Sequence, residues 1–210
     1  SSQQLVLEPG SYIVATNHGG DITGNKPIAD LNIQSGEISL EDAFISTKST
    51  NAAKAGDLEV AATNIALDQD SRIGSYSFSK GESGDIVIGS SRLTMSGGSA
   101  VESGLDQAVL EAEERAPYAA GDSGDIKITS GVIHLEEGSY VRNAQIDNAL
   151  SGSVSITSDE LKLKGKSFVS TESIQLYQSN YSNKTETDQN GSVDITSKMF
   201  EIHDSSYVKT

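Results

Sequence analysis

Short runs in which apolar and polar residues alternate strictly recur along the whole chain, with Gly, Ser, Asp or Asn between them. Alternation at period two puts every second side chain on one face, so each run reads as a strand burying one face, and the small polar residues between runs read as turns. Three kinds of run follow one another in a fixed order. The first is a small residue, usually an Asp, and an apolar pair: Ala29-Asp30-Leu31-Asn32-Ile33, Gly56-Asp57-Leu58-Glu59-Val60, Gly84-Asp85-Ile86-Val87-Ile88, Gly124-Asp125-Ile126-Lys127-Ile128, Gly152-Ser153-Val154-Ser155-Ile156 and Gly191-Ser192-Val193-Asp194-Ile195. The second is an apolar pair such as Ile38-Ser39-Leu40 or Leu161-Lys162-Leu163, with Leu5-Val6-Leu7 as the same run from an earlier, incomplete copy. The third follows a few residues later, as in Gly138-Ser139-Tyr140-Val141 and Ser167-Phe168-Val169.

The six complete copies begin 27, 28, 40, 28 and 39 residues apart, so the base unit is about 27 residues and two units carry insertions. Three short strands in such a unit suit one turn of a parallel β-helix, where like positions stack at the interstrand spacing of about 4.8 Å and form apolar ladders. A leucine-rich repeat would show a Leu-x-x-Leu-x-Leu pattern with an Asn position, and an up-and-down barrel would not keep the unit length so constant. The pattern therefore predicts an all-β fold: a single solenoid domain over residues 1–210, of about six coils of three short strands, with corner insertions near 16–28, 104–121 and 173–189. Leu105, Ala108, Val109 and Ala112 fall at helical spacing, which predicts one short helix in the second insertion.

Composition adjusts this picture in three ways. A hydrophobic content of 35% is modest for a globule but sufficient for a solenoid, in which a few inward Ile, Leu and Val per unit line one narrow interior. With 15 Lys and Arg against 30 Asp and Glu, the formal charge of −15 disfavours binding to nucleic acid or anionic membranes. No apolar stretch is long enough to insert into a bilayer as a helix, and the absence of Cys removes disulfides, cysteine-zinc sites and thiol nucleophiles.

Asp30, Asp57, Asp85 and Asp125 hold one unit position and should stack as a column of carboxylates. Such a column can take Ca2+, a hard cation that gathers several oxygens, or it can cap backbone amides at the start of each strand. The acidic insertion with Asp106, Glu111, Glu113 and Glu114, together with Tyr118, Tyr177 and Tyr181, offers contact residues on corner loops held by a rigid scaffold. The sequence gives no sign of an enzyme. The acidic pairs Glu113-Glu114, Glu136-Glu137 and Asp159-Glu160 are neighbours in sequence, so within a strand they point to opposite faces. His134 and His203 are read as outward residues at one unit position, two units apart. The runner-up is a carbohydrate-active β-helix enzyme, which would need carboxylates and a basic residue converging in one groove.

The recurrent Gly-Asp-Ile-x-Ile, followed by Leu-x-Leu-x-x-Gly-Ser-x-Val and clearest over Gly124–Asn143, resembles the repeats of filamentous-haemagglutinin-like exoproteins, the large secreted partners of two-partner secretion systems. The resemblance runs from about Leu5 to Val208. It implies a right-handed, single-stranded parallel β-helix: an extracellular or bacterial outer-surface rod acting in adhesion, aggregation or filament building. Its partners would be a protein or glycan on a host or neighbouring cell, or further copies of the same rod. The expectation is a segment of a longer rod, or a subunit that stacks into one.

Overall fold

The computed structural model describes residues 3–17, 29–50, 53–78, 81–104, 121–146, 149–174 and 191–210. Among them the chain is entirely β, in seven consecutive units. The first holds β1 (Gln4–Leu7) and β2 (Tyr12–Asn17); the second β3 (Leu31–Gln34), β4 (Glu37–Glu41) and β5 (Phe44–Ser49); the third β6 (Leu58–Asp68) and β7 (Arg72–Ser77). Next come β8 (Ile86–Met95) with β9 (Ala100–Gly104), β10 (Ile126–Leu135) with β11 (Tyr140–Ile146), β12 (Val154–Leu163) with β13 (Phe168–Ile174), and β14 (Val193–Ile202) with β15 (Tyr207–Lys209).

These strands form two wholly parallel sheets. Sheet A runs β1-β4-β6-β8-β10-β12-β14, with β3 also on β6, and sheet B runs β2-β5-β7-β9-β11-β13-β15. Each strand pairs with its counterpart one unit away, in a solenoid-like arrangement. The register follows the repeat: Leu31 lies opposite Leu58, Leu58 opposite Ile86, Ile86 opposite Ile126, Ile126 opposite Val154 and Val154 opposite Val193. The predicted short helix and the bulk of the three insertions lie outside the described residues.

The three apolar runs are present, but the first two are not separate strands. From the third unit onward they join into one strand of 10 or 11 residues. Inward positions along β6 are Leu58 and Val60, then Ile65 and Leu67. The step from 60 to 65 is odd, so the alternation slips once and the strand turns a corner, with one position, Thr63, left out of its ladder to β8. A serine marks that corner in most units: Ser90 donates to the Ser130 hydroxyl at 2.9 Å, and Ser130 donates to the Val132 carbonyl at 3.0 Å. In the second unit Ser35 makes the matching bond to the Glu37 carbonyl at 2.9 Å, there between β3 and β4. From the third unit onward the prediction of three strands per unit is thus corrected to three inward faces carried on two strands, while the second unit keeps three.

A tight turn leads from sheet A to sheet B, with its two central residues left-handed in most units. Gln69 and Asp70 have φ of 52° and 60°, and Gly97 and Gly98 have 60° and 79°. Such a pair belongs to a turn of type I′. In the first unit Pro9 fixes a negative φ, and only Gly10 is left-handed, at 78°. A buried serine closes the turn, as when Ser99 donates its backbone N–H to the Ser96 carbonyl at 3.2 Å and its hydroxyl to the same oxygen at 2.7 Å.

The interior is apolar on both halves of sheet A and on the first inward position of sheet B. Ile45, Ile73, Val101, Val141 and Val169 stack there, all fully buried. The next inward position is polar: Thr47, Ser75, Ser103, Asn143 and Thr171. These side chains meet the glycines that open the sheet A strands of their own or the following unit. Thr47 donates to the Gly56 carbonyl at 2.6 Å, Asn143 to that of Gly124 at 2.6 Å and Thr171 to that of Gly191 at 2.7 Å. In the seventh unit the inward Phe200 and Ile202 are 43% and 45% exposed, because no described unit lies beyond them.

Candidate functional site

The Gly-Asp pair that opens each unit has a separate task for each residue. A Cβ placed on Gly84 would lie 2.0 Å from the carbonyl oxygen of Gly56, and one on Gly124 would lie 2.3 Å from that of Gly84. The units approach so closely here that only hydrogen fits. The Asp beside each Gly then serves the neighbouring unit. Asp30 accepts the backbone N–H of Asp57 at 2.9 Å, Asp57 that of Asp85 at 2.9 Å, Asp85 that of Asp125 at 2.8 Å and Asp125 that of Ser153 at 2.7 Å. Ser153 continues the line, accepting the N–H of Ser192 at 3.2 Å. The carboxylates do form the predicted column, each with a backbone partner. Among the described residues no three His, Asp or Glu side chains gather as a metal-binding group.

Asp106, Glu111, Glu113, Glu114, Tyr118, Tyr177 and Tyr181, the contact residues expected on the corner loops, lie outside the described residues. Instead, the outer face of sheet B brings together a set of groups from three consecutive units. Glu102 points outward from β9 yet is only 1% exposed, because longer side chains on both sides close over it. Arg72 reaches its Oε1 at 2.7 Å and the Tyr76 hydroxyl donates to the same oxygen at 2.9 Å; Arg142 reaches Oε2 at 3.0 Å and the Tyr140 hydroxyl donates to it at 3.3 Å. Small neighbours make this possible. A Cβ on Gly74 would strike the Tyr76 ring, 2.2 Å from its hydroxyl oxygen, and Ala100 sits between Arg72 and Tyr140 in the ladder.

The electrostatics match this geometry. Burial pulls the Arg72 guanidinium down, but Glu102, aided by Tyr140 and Tyr76, outweighs it and holds the group above its ordinary value. Burial, seconded by the Glu102 charge, pushes the Tyr140 phenol up to about 12. Tyr140 also starts an aromatic stack: its ring lies 4.9 Å from Phe168, and Phe168 lies 5.1 Å from Tyr207, both pairs within 3° of parallel. The Arg142 guanidinium sits 5.0 Å from the centre of the Tyr140 ring.

No protein-family model, curated protein or solved structure matches the chain. Its own residues therefore carry any functional reading.

Toward the first unit, the same outer face opens into a groove of about 530 Å³. Tyr12, Phe44 and Arg72 share one outward column of its lining, Val14 and Ser46 the next, and Thr16, Lys48 and Tyr76 the third, with Phe78 just past the end of β7. Tyr12 is 72% exposed and Phe44 38%. Reading unit by unit misses both this groove and the Glu102 cluster, because their members stand about one unit apart in sequence. Aligning the third run of each unit would have shown Arg72, Glu102 and Arg142 on one outward face.

The histidines need a correction. The ladder sets His134 against Lys162 and Lys162 against Glu201, so His203 lies two positions beyond the place of His134. His134 meets Glu160 at 2.8 Å. Glu201, held below its ordinary range chiefly by a hydrogen bond with His203 and then by Lys162, lies 3.2 Å and 3.5 Å from them. These are exposed or half-exposed surface pairs.

Proposed function

We propose that this chain is a structural and interaction segment of a bacterial secreted or cell-surface rod, a right-handed parallel β-helix serving adhesion, aggregation or filament building. The observation that carries this reading is the unbroken parallel register of seven units in both sheets. Such stacking hydrogen-bonds the backbone along the axis and gives a stiff scaffold whose length grows by repetition. A right-handed path is the sense that connections between parallel strands of one sheet follow almost without exception. The resemblance of the Gly-Asp-Ile-x-Ile units to filamentous-haemagglutinin-like repeats supports the same reading.

The work of such a rod is mechanical. It holds variable segments away from a surface, and the long insertions follow β2, β9 and β13, all between the end of sheet B and the return to sheet A. Partners on this reading are a protein or glycan of a host or neighbouring cell, or further copies of the rod. Beads coated with the chain should adhere to cell layers or clump with one another. Deleting residues 105–120 should lower that attachment while leaving the melting profile intact. Coated beads that neither adhere nor clump would contradict the proposal.

A further inference from the structure

The groove on the outer face of sheet B combines three properties that define a class of ligand. Its floor carries short side chains, Ser46 among them, on β5, whose backbone groups are engaged in the parallel ladders on both sides, while β2, which bears Tyr12, Val14 and Thr16, is the end strand of the sheet. A ligand lying across β5 and β7 meets side chains, because the backbone groups of both strands are spent in the ladders. Aromatic rings stand at both margins: Tyr12 and Phe44 at one, Tyr76 and Phe78 at the other. Each margin also carries a cation on a chain whose formal charge is −15. Lys48 makes no ion pair among the described residues. Arg72 and Arg142 share the single carboxylate of Glu102, which leaves that cluster with a surplus positive charge.

Lys48 and Arg72 stand on adjacent strands, four positions apart, or about 13 Å along the strand direction. A ligand meeting both at once carries acid groups spaced along its length and presents apolar ring faces to the aromatics that stand beside each cation. From this juxtaposition we infer that the groove binds a carboxylated oligosaccharide, a chain of uronate-type sugar rings crossing the sheet along its strands. The rings stack on Tyr12, Phe44 and Phe78, and carboxylates meet Lys48 and the Arg72 side of the cluster. Glu102 and Tyr140 hold Arg72 in place before the ligand arrives, with Nη1 at 2.7 Å from Glu102 and 3.0 Å from the Tyr140 hydroxyl.

The inference rests on the reading of the chain as an interaction rod, and its test separates the two. Titration of the intact chain with an oligogalacturonate hexamer should show saturable binding that weakens as salt rises from about 0.05 to about 0.5 M. A neutral hexasaccharide should not bind. Lys48→Gln and Tyr12→Ala should each weaken hexamer binding about tenfold, and neither touches the interior, so melting temperatures should hold. No binding of the hexamer, equal binding by both variants, or equal or tighter binding of a glutamate hexapeptide would overturn the inference. If coated beads still adhere or clump in those cases, only the groove is lost; beads that do neither would remove the interaction rod as well.

Discussion

The Asp57 carboxylate accepts the backbone N–H of Asp85 across one unit at 2.9 Å, and Asp85 repeats the bond to Asp125 at 2.8 Å. The column is thus a chain of caps, each acid satisfying an amide that the close approach of the units would otherwise leave without a partner. Replacing Asp85 by Ala should cost about 1 kcal/mol in thermal or urea unfolding, while Asp85→Asn, which keeps the accepting oxygen, should cost much less. The same account predicts an unchanged melting temperature between excess chelator and millimolar Ca2+. A rise with Ca2+ would show that the column holds the ion instead.

Gly84 and Gly89 lie five residues apart in the same unit and should respond in opposite directions to alanine. At Gly84 the new methyl would meet the Gly56 carbonyl oxygen at 2.0 Å, so the stack must open, at a cost of about 1–3 kcal/mol. At Gly89, within β8, nothing lies within 4 Å of a Cβ. There alanine should be neutral or stabilise by about 0.5–1 kcal/mol, by narrowing the unfolded ensemble. Urea midpoints of the two variants provide the comparison.

Glu102 holds two guanidiniums and two phenols, and its side chain is 2% exposed. Glu102→Gln removes the charge that both arginines answer and should destabilise the chain by about 3–5 kcal/mol. If the arginines are replaced along with it, as in Glu102→Leu with Arg72→Met and Arg142→Met, most of that loss should return, since the penalty lies in stranding the cations. Equilibrium unfolding of the single and triple variants decides between these outcomes.

Tyr140 supplies a pH signature of the same cluster. Its phenol is pushed up to about 12 from an ordinary value of 10.0. A group raised on folding contributes stability that is fully present below its unfolded pKa and is lost as pH rises toward the folded one. The chain should therefore lose roughly 2–3 kcal/mol between about pH 10 and 12 through this residue. Tyr140→Phe should be less stable at pH 8 yet show a shallower alkaline decline. Parallel declines in the two proteins would exclude the effect.

Much of this architecture is written in the residues. The intervals between Gly-Asp runs become the ladder register, and the alternating Ile, Leu and Val become the buried columns, because period-two patterning leaves a strand only one face to bury. Asp57, Asp85 and Asp125 stack as their equal unit positions require. The joining of the first two runs was not legible: Ala61, Ala62, Thr63 and Asn64 look like a turn, yet Ala61, Ala62 and Asn64 pair with Gly89, Ser90 and Arg92 of β8, and only Thr63 is skipped where the strand bends. The Glu102 cluster was hidden for a different reason. An outward Glu ordinarily reads as solvated, and its burial depends on Arg72 and Arg142, one unit to either side, and on the space left by Gly74 and Ala100.

In-register stacking of the units is the claim on which everything else depends, and the absence of native Cys permits a direct measurement. Lys127 and Ser155 are register partners on the outer face of β10 and β12, so their Cα atoms should stand about 4.8 Å apart, within the range a disulfide spans. The double variant Lys127→Cys/Ser155→Cys should close under mild oxidation to an intramolecular bond, seen as a loss of two hydrogens in the intact mass. Lys127→Cys/Thr157→Cys, displaced by two residues along the strand, should keep both thiols free. Failure of the first pair to close, or equal closure of the second, would contradict the stacked register.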